Sequence, residues 1–259
     1  MTQTQHTVRH HGAEPAKVVV LHGGPGGAGE VEAFAHKLGH RGHAVLEPFQ
    51  TQHSVGAQIE ELREQITHHS TPPITLIGWS WGAWLGCLFA ASHPNLVRKL
   101  VLVGSGPFEA RHTEAIKATK AARLTDAQRA ELATLNLGSG DPTRTARFIA
   151  LNDVADTFER DTSPLPDVQF DADIHRSVWP EANAMRTSGA LLDTLATIRC
   201  PVIALHGDHD PRPADGVRLP LQAALPSATF TLLEKCGHKP WQEVHAQDQF
   251  YQLIEAALD

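Results

Sequence analysis

Five short apolar runs rich in β-branched residues recur along the chain, each closing at or near glycine. Val18-Val19-Val20-Leu21 ends at His22-Gly23-Gly24, and Ile74-Thr75-Leu76-Ile77 ends at Gly78. Leu100-Val101-Leu102-Val103 ends at Gly104, Pro201-Val202-Ile203-Ala204-Leu205 at His206-Gly207, and Thr229-Phe230-Thr231-Leu232-Leu233 near Cys236-Gly237. A shorter run, Ala44-Val45-Leu46, ends at Pro48. Continuous apolar runs without alternation mark parallel strands buried on both faces. Helical spacing fills the gaps over Glu30–Leu38, Ser54–His68, Trp81–His93, Ala214–Leu225 and Trp241–Leu258. Trp81–His93 is apolar nearly all round, as a central buried helix requires. Strands alternating with helices predict a doubly wound, mostly parallel α/β sheet.

The alternation breaks once. Between Pro107 and Ile198 no strand is evident. Helical stretches appear instead at Thr113–Ala122, Asp126–Asn136, Thr143–Asn152 and Glu181–Thr194, interrupted by Pro164, Pro166 and Pro180. Asp141-Pro142 reads as an N-cap followed by a proline at the first helical position. The predicted organisation is one core built from residues 1–106 and 199–259, with a helical insertion at 107–198. At 259 residues such a core needs no disulfide or metal staple.

The net charge of −7 argues against binding to nucleic acid or to an anionic membrane face. The apolar runs are far too short for a membrane span, and the first residues hold no apolar signal core. Three cysteines (Cys87, Cys200, Cys236), without a C-x-x-C, suit a reducing compartment, so a cytoplasmic location is expected.

Gly78-Trp79-Ser80-Trp81-Gly82 fits G-x-S-x-G directly between a strand and an apolar helix, the context that gives this motif meaning. The chain must reverse within a residue or two, which strains the serine backbone and exposes its hydroxyl. Glycine on either side lets strand and helix approach without a Cβ clash. A serine hydroxyl attacks only when a base takes its proton and a third group orients that base. His238, after the last strand, is the expected base; His206 also follows a strand but sits at its end. Asp208 and Asp210 both lie in the loop Leu205–Pro211, and G-x-x-D before proline favours Asp210 as the acid. The order Ser80, Asp210, His238 is the nucleophile–acid–base order of the nucleophile-elbow hydrolases. His22-Gly23-Gly24-Pro25-Gly26-Gly27 supplies a glycine loop beside the site, with His22 expected to order it. The backbone N–H groups of Gly24 and Trp81 are the expected oxyanion donors, and loss of one such donor typically raises a barrier by about 3–4 kcal/mol. A phosphate loop is the competing reading, but G-K-[ST] is absent from the sequence.

On these residues the chain resembles the α/β-hydrolase superfamily, in its proline iminopeptidase-like and carboxylesterase-like branch. His22-Gly23-Gly24-Pro25-Gly26 and Trp81 carry the branch resemblance; Gly207–Asp210 and Gly237-His238 match the superfamily's acid and base loops. The resemblance implies an α/β-hydrolase fold, and a helical cap at 107–198. It implies a serine hydrolase that cleaves a small ester or amide through an acyl-enzyme, without cofactor or metal. Iminopeptidases bind the substrate amine with cap carboxylates, for which Glu159 and Glu181 are candidates. Trp79 departs from the branch, which carries a small residue there. It is expected to narrow the pocket, with Trp179 as a second aromatic wall and Trp241 in the core.

Rival readings are an aminopeptidase, a carbon–carbon hydrolase or acyltransferase on the same triad, and a ligand receptor with little turnover. A metal enzyme is prompted by the 17 histidines. Gly39 and Gly42, however, break the helix that would align His36, His40 and His43, and the cluster His206–Asp210 sits on one loop. The expected partner is a small-molecule substrate. Sequence is silent on oligomeric state.

Overall fold

A computed structural model describes residues 7–135, 141–162 and 168–259. Strands β1 (Val8–His11), β2 (Ala16–Leu21) and the two-residue β3 (Gly27–Ala28) open the chain. They are followed by α1 (Glu32–His40), β4 (Val45–Pro48), α2 (Val55–His69), β5 (Ser70–Trp79), α3 (Trp81–Ser92) and β6 (Val97–Val103). Next come α4 (Thr113–Arg123), α5 (Asp126–Thr134), α6 (Pro142–Asp156), the short β7 (Gln169–Phe170), α7 (Ala172–Ser188) and α8 (Ala190–Leu195). The chain then returns through β8 (Val202–Gly207), α9 (Asp215–Ala224), β9 (Thr229–Leu233) and α10 (Gln247–Leu258).

Among the described residues the main sheet has seven strands, ordered β1-β4-β2-β5-β6-β8-β9. Only β1 runs antiparallel, against β4. Parallel pairing carries the rest: Val19 faces Leu46 and Leu76, Leu76 faces Leu100, and Leu100 faces Val202. All six apolar runs of the sequence are strands, and their double-sided burial explains the lack of alternation. β5 and β6 lie mid-sheet, so the turns at their carboxyl ends emerge at the centre of one edge. Ligands of open α/β sheets bind along that edge.

Alternate residues of β5 feed two cores. Ile74 and Leu76 join Leu21, Trp81, Trp84 and Leu85 on the α3 side. Ile77 and Trp79 join Val20, Val103, Phe34, Trp241 and Phe250 on the α1 and α10 side. α3 is buried along almost its whole length, as its composition requires. Among the described residues no helix is long and apolar enough to cross a membrane.

Between β6 and β8 the helices follow the sequence pattern with three differences. Asp141 caps α6 as read, accepting from the Thr143 and Arg144 N–H groups at 2.9 and 3.3 Å. Pro180 does not interrupt a helix but lies inside α7. It is exposed, on the solvent side of the helix, where a missing backbone N–H is tolerated best. The break comes instead at Gly189, in the left-handed region at φ 89°, and divides α7 from α8. The segment also holds a strand, β7, which pairs antiparallel with β3, Gly27 opposite Phe170. Two residues carry too little pattern to be seen in sequence. Asn136, Pro164 and Pro166 lie outside the described residues. The last helix starts at Gln247 rather than Trp241, which occupies a preceding 3₁₀ turn, Pro240–Gln242.

Candidate active site

Ser80 stands between β5 and α3 at φ 56°, ψ −116°. Its N–H still belongs to the sheet, donating to the Val103 carbonyl (3.1 Å), while its carbonyl accepts the first helical bond from the Ala83 N–H (3.1 Å). The reversal depends on two glycines. A Cβ on Gly78 would lie 2.1 Å from the Gly82 carbonyl oxygen; one on Gly82 would lie 2.6 Å from that of His22. Real Cβ atoms do not come that close, so any other residue would push α3 off the sheet.

The loops that carry Asp210 and His238 leave β8 and β9 side by side. His238 Nδ1 and Asp210 Oδ2 are 2.6 Å apart and both side chains are buried. His238 Nε2 is buried with no hydrogen-bond partner among the described residues. The imidazole rests on the Trp79 indole, ring centres 5.0 Å apart, and the indole N–H donates to the His238 carbonyl at 2.9 Å. Gly104, at φ 50°, closes the other side: a Cβ there would come 3.0 Å from His238 Nδ1. Asp208 has a separate duty. Its carboxylate accepts from the Cys236 N–H at 3.1 Å and fastens the Asp210 loop to the His238 loop.

Behind this pair sits a charged network. The Arg212 N–H donates to Asp210 Oδ1 at 2.9 Å, and its guanidinium bridges Asp156 (2.9 Å) and Asp210 (3.4 Å). Lys120 also pairs with Asp156 (3.0 Å), whose carbonyl accepts from the His238 N–H at 2.8 Å. The Glu243 carboxylate takes the N–H groups of Gly237, Phe158 and Glu159 at 2.9–3.1 Å, joining the base loop to the end of α6. Burial alone would raise the Asp210 carboxyl, but His238, Arg212 and His206 outweigh it and hold the group ionised far below the usual range. His238 is shifted down from 6.5, first by burial and then by Arg212, with Asp210 offsetting part of the shift.

The glycine loop is held from beneath. His22 is fully buried, and its Nε2 accepts the Gln50 N–H at 3.1 Å. Nδ1 must therefore carry the proton, and it donates to the Gly23 carbonyl at 2.9 Å. Gln50 also donates to the His22 carbonyl (3.1 Å) and accepts the Trp81 indole N–H (2.8 Å). One glutamine thus couples the loop to the start of α3. From above, the Asp171 N–H donates to the Gly26 carbonyl at 2.8 Å, continuing the β3–β7 pairing.

Gly24, Ser80, Trp81, Trp179 and Arg212 share one cleft of about 270 Å³. Trp79 does not line it. It is the sixth residue along β5 from Ile74, on the same face as Ile77, and so it packs against Trp241 (5.4 Å) and the glycine loop instead of narrowing the pocket. Trp241 is core, as read. Glu159 and Glu181 do not line the cleft either: Glu159 pairs with His245 (2.8 Å), and Glu181 accepts the Val55 N–H (2.8 Å). Sequence reasoning missed Gln50, Asp156, Arg186 and Arg212. Only Arg212 carried a signal, its position two residues after Asp210.

A family model for the alpha/beta hydrolase fold matches residues 17–241. A curated relative, the biotin biosynthesis bifunctional protein BioHC of Teredinibacter turnerae, is 25% identical over 186 residues, 70% of this chain. The chain spans about a third of that relative's length, the match covering 33% of it. Among solved structures, VinJ superposes with a TM-score of 0.69 at 20% identity, covering 97% of this chain and 93% of that one. Proline iminopeptidase from Mycobacterium smegmatis gives 0.64 at 18% identity, covering 97% and 93%. These similarities and the sheet topology agree that the chain belongs to the α/β-hydrolase fold family.

Proposed function

We propose that this protein is a serine hydrolase that cleaves small esters through an acyl-enzyme, with Ser80 as nucleophile, His238 as base and Asp210 as the acid orienting it. The observation that carries the reading is a strained serine at a strand–helix elbow, next in chain to the Trp79 indole that touches a buried His–Asp pair whose outer nitrogen, Nε2, has no hydrogen-bond partner among the described residues. Asp210 accepts the hydrogen bond of Nδ1–H, which keeps the proton on Nδ1 and leaves the Nε2 lone pair for the serine hydroxyl. Ser80 attacks the carbonyl carbon as His238 takes its proton. The negative charge developing on the carbonyl oxygen is met by the N–H groups of Gly24 and Trp81, which line the same cleft. The imidazolium then protonates the leaving alkoxide. Water, deprotonated by His238, releases the acid in the second half.

An ester is favoured over an aminoacyl substrate by the charges of the cleft. Its ionisable lining residues are Lys117, Lys120, Arg186 and Arg212, all cationic, and Glu159 and Glu181 are engaged elsewhere. We take residues 107–198 as a cap, since α4 and α7 contribute Thr113, Ile116, Trp179 and Arg186 to the cleft wall. Three free thiols, with Cys87 and Cys236 fully buried, suit a reducing, cytoplasmic setting.

Labelling with a fluorophosphonate, followed by a panel of aryl esters and aminoacyl-arylamides, tests the reading. Wild type labels and turns over short aryl esters, and Ser80→Ala does neither. Equal labelling of wild type and Ser80→Ala refutes it, and turnover of the arylamides in preference to the esters would return the peptidase.

A further inference from the structure

The four cations of the cleft are not equivalent. Arg212 is committed to Asp210 and Asp156, and Lys120 to Asp156 and Asn152. Lys117 pairs with Glu114 and is 68% exposed, which marks the open end of the cleft. Arg186 differs from all three. It is 7% exposed and, among the described residues, faces no carboxylate. Its Nη2 donates to the Asn183 side-chain carbonyl, and its Nε is buried with no acceptor among the described residues. The guanidinium lies against two stacked indoles, 5.5 Å from the centre of Trp84 and 6.0 Å from that of Trp179. Those rings offer a cation–π contact but no lone pair in the guanidinium plane. Leaving a buried, charged donor without an acceptor is costly, and natural cores avoid it unless the site has a use for it.

We propose that Arg186 reads a carboxylate on the acyl chain of the substrate, so that the enzyme acts on half-esters of short dicarboxylic acids. The inference rests on the serine-hydrolase reading. Three observations set the class. The planar guanidinium fork matches a carboxylate, and the aromatic walls exclude water and strengthen the pair. The cleft, at about 270 Å³, suits a short chain. The position selects the acyl side: a leaving group must depart through the open end at Lys117, whereas the acyl group stays tethered to Ser80 and can occupy the buried end at Arg186.

The test compares mono-4-nitrophenyl glutarate with 4-nitrophenyl pentanoate, near-isosteric acyl chains that differ in charge, with Ser80→Ala as the blank for spontaneous hydrolysis. Wild type is expected to favour the glutarate by about 10- to 100-fold in kcat/KM, the size of a charge-assisted hydrogen bond in a desolvated site. In Arg186→Gln the ratio is expected to fall to within about threefold of one, whatever the absolute rates, and Arg186→Lys is expected to lie between. The wild-type ratio alone is decisive if Arg186→Gln does not fold. Ser80-dependent turnover with equal or better rates on the pentanoate overturns the inference and leaves the hydrolase reading intact. Equal loss on both esters in Arg186→Gln, with the ratio preserved, assigns Arg186 to the fold and also overturns it. Absence of both turnover and Ser80 labelling removes the hydrolase reading, and this inference with it.

Discussion

Gln50 is the most economical place to separate the glycine loop from the chemistry. It lies outside the proposed triad, yet its side chain joins the loop to the first turn of α3. Gln50→Leu keeps the backbone bond to His22 Nε2 but removes two side-chain bonds, to the His22 carbonyl (3.1 Å) and from the Trp81 indole N–H (2.8 Å). Gln50, His22 and Trp81 are 6%, 0% and 3% exposed, so water cannot readily replace either partner. Each orphaned buried group costs about 1–3 kcal/mol, which places the loss of stability at about 2–6 kcal/mol. The urea midpoint reads that loss directly. Activity should fall as well, because Gly24 and Trp81 no longer share a tie. Losing alignment of one oxyanion donor costs about 10²–10³-fold in kcat, with KM for a neutral ester little changed. A double-mutant cycle sharpens the assignment. Trp81→Phe removes the donor, so the double variant has no orphaned indole N–H and should be more stable than the sum of the single losses by at least about 0.5 kcal/mol. A Gln50→Leu protein with the expected loss of stability but wild-type kcat would refute the link between this glutamine and the oxyanion site.

Other perturbations follow from the same geometry. Ser80→Gly removes the nucleophile and also the strain of a non-glycine residue at φ 56°; it should be more stable than Ser80→Ala by about 1 kcal/mol, seen as a higher Tm, while both lose at least about 10⁴-fold in kcat. Gly78→Ala places a methyl 2.1 Å from a backbone oxygen that cannot swing away, so a loss above about 3 kcal/mol or failure to accumulate as folded protein is expected. His238 must be neutral to act as base, so activity is lost as pH falls through its value, which lies below 6.5; Arg212→Gln deletes a cation that depresses it and should move the acid limb of kcat/KM to higher pH. His22 is also shifted down by burial, the backbone bond to Gly23 only partly offsetting this. The unfolded chain therefore binds the extra proton first, and stability should hold above pH 6.5 and fall below it by up to about 1.4 kcal/mol per pH unit for each such histidine, measurable as urea midpoints at pH 5 and 7.5.

How much of this was legible in sequence depended on whether a role was local. The strands β2, β4, β5, β6, β8 and β9 are visible because burial on both faces leaves an unbroken apolar run. β1, Val-Arg-His-His, pairs on one edge only and shows no such run. Ser80 is marked by Gly78 and Gly82: the contact Gly78 permits, on the Gly82 carbonyl, lies within five residues of chain, while Gly82 admits the distant His22 carbonyl. Asp210 and His238 are marked by the loops that follow strands. Gln50, Asp156 and Arg186 have no such local frame. Gln50 acts across 28 residues on His22 and 31 on Trp81. Asp156 is the last residue of α6, where a carboxylate ordinarily meets solvent, and it becomes structural only because Arg212 and Lys120 converge on it.

Trp79 is the instructive error, because the signal that corrects it was present. A tryptophan next to the nucleophile invites placement in the pocket. But successive side chains of a strand point to opposite faces, and the helix that begins at Trp81 must cover one of them. Ile74 and Leu76 lie under α3; Ile77 and Trp79 therefore lie on the other face, with Phe34 and Trp241. Counting by two from any β5 residue whose face is known sends the indole away from substrate and under His238. There it holds the base by its carbonyl, at 2.9 Å, and by a ring contact at 5.0 Å. The residue that departs from the branch pattern thus touches the proposed base rather than the cleft. Trp79→Phe should for that reason lower kcat and disturb the pH profile of His238 while leaving selectivity between acyl chains unchanged, whereas altered acyl selectivity with an undisturbed profile would return the indole to the pocket wall.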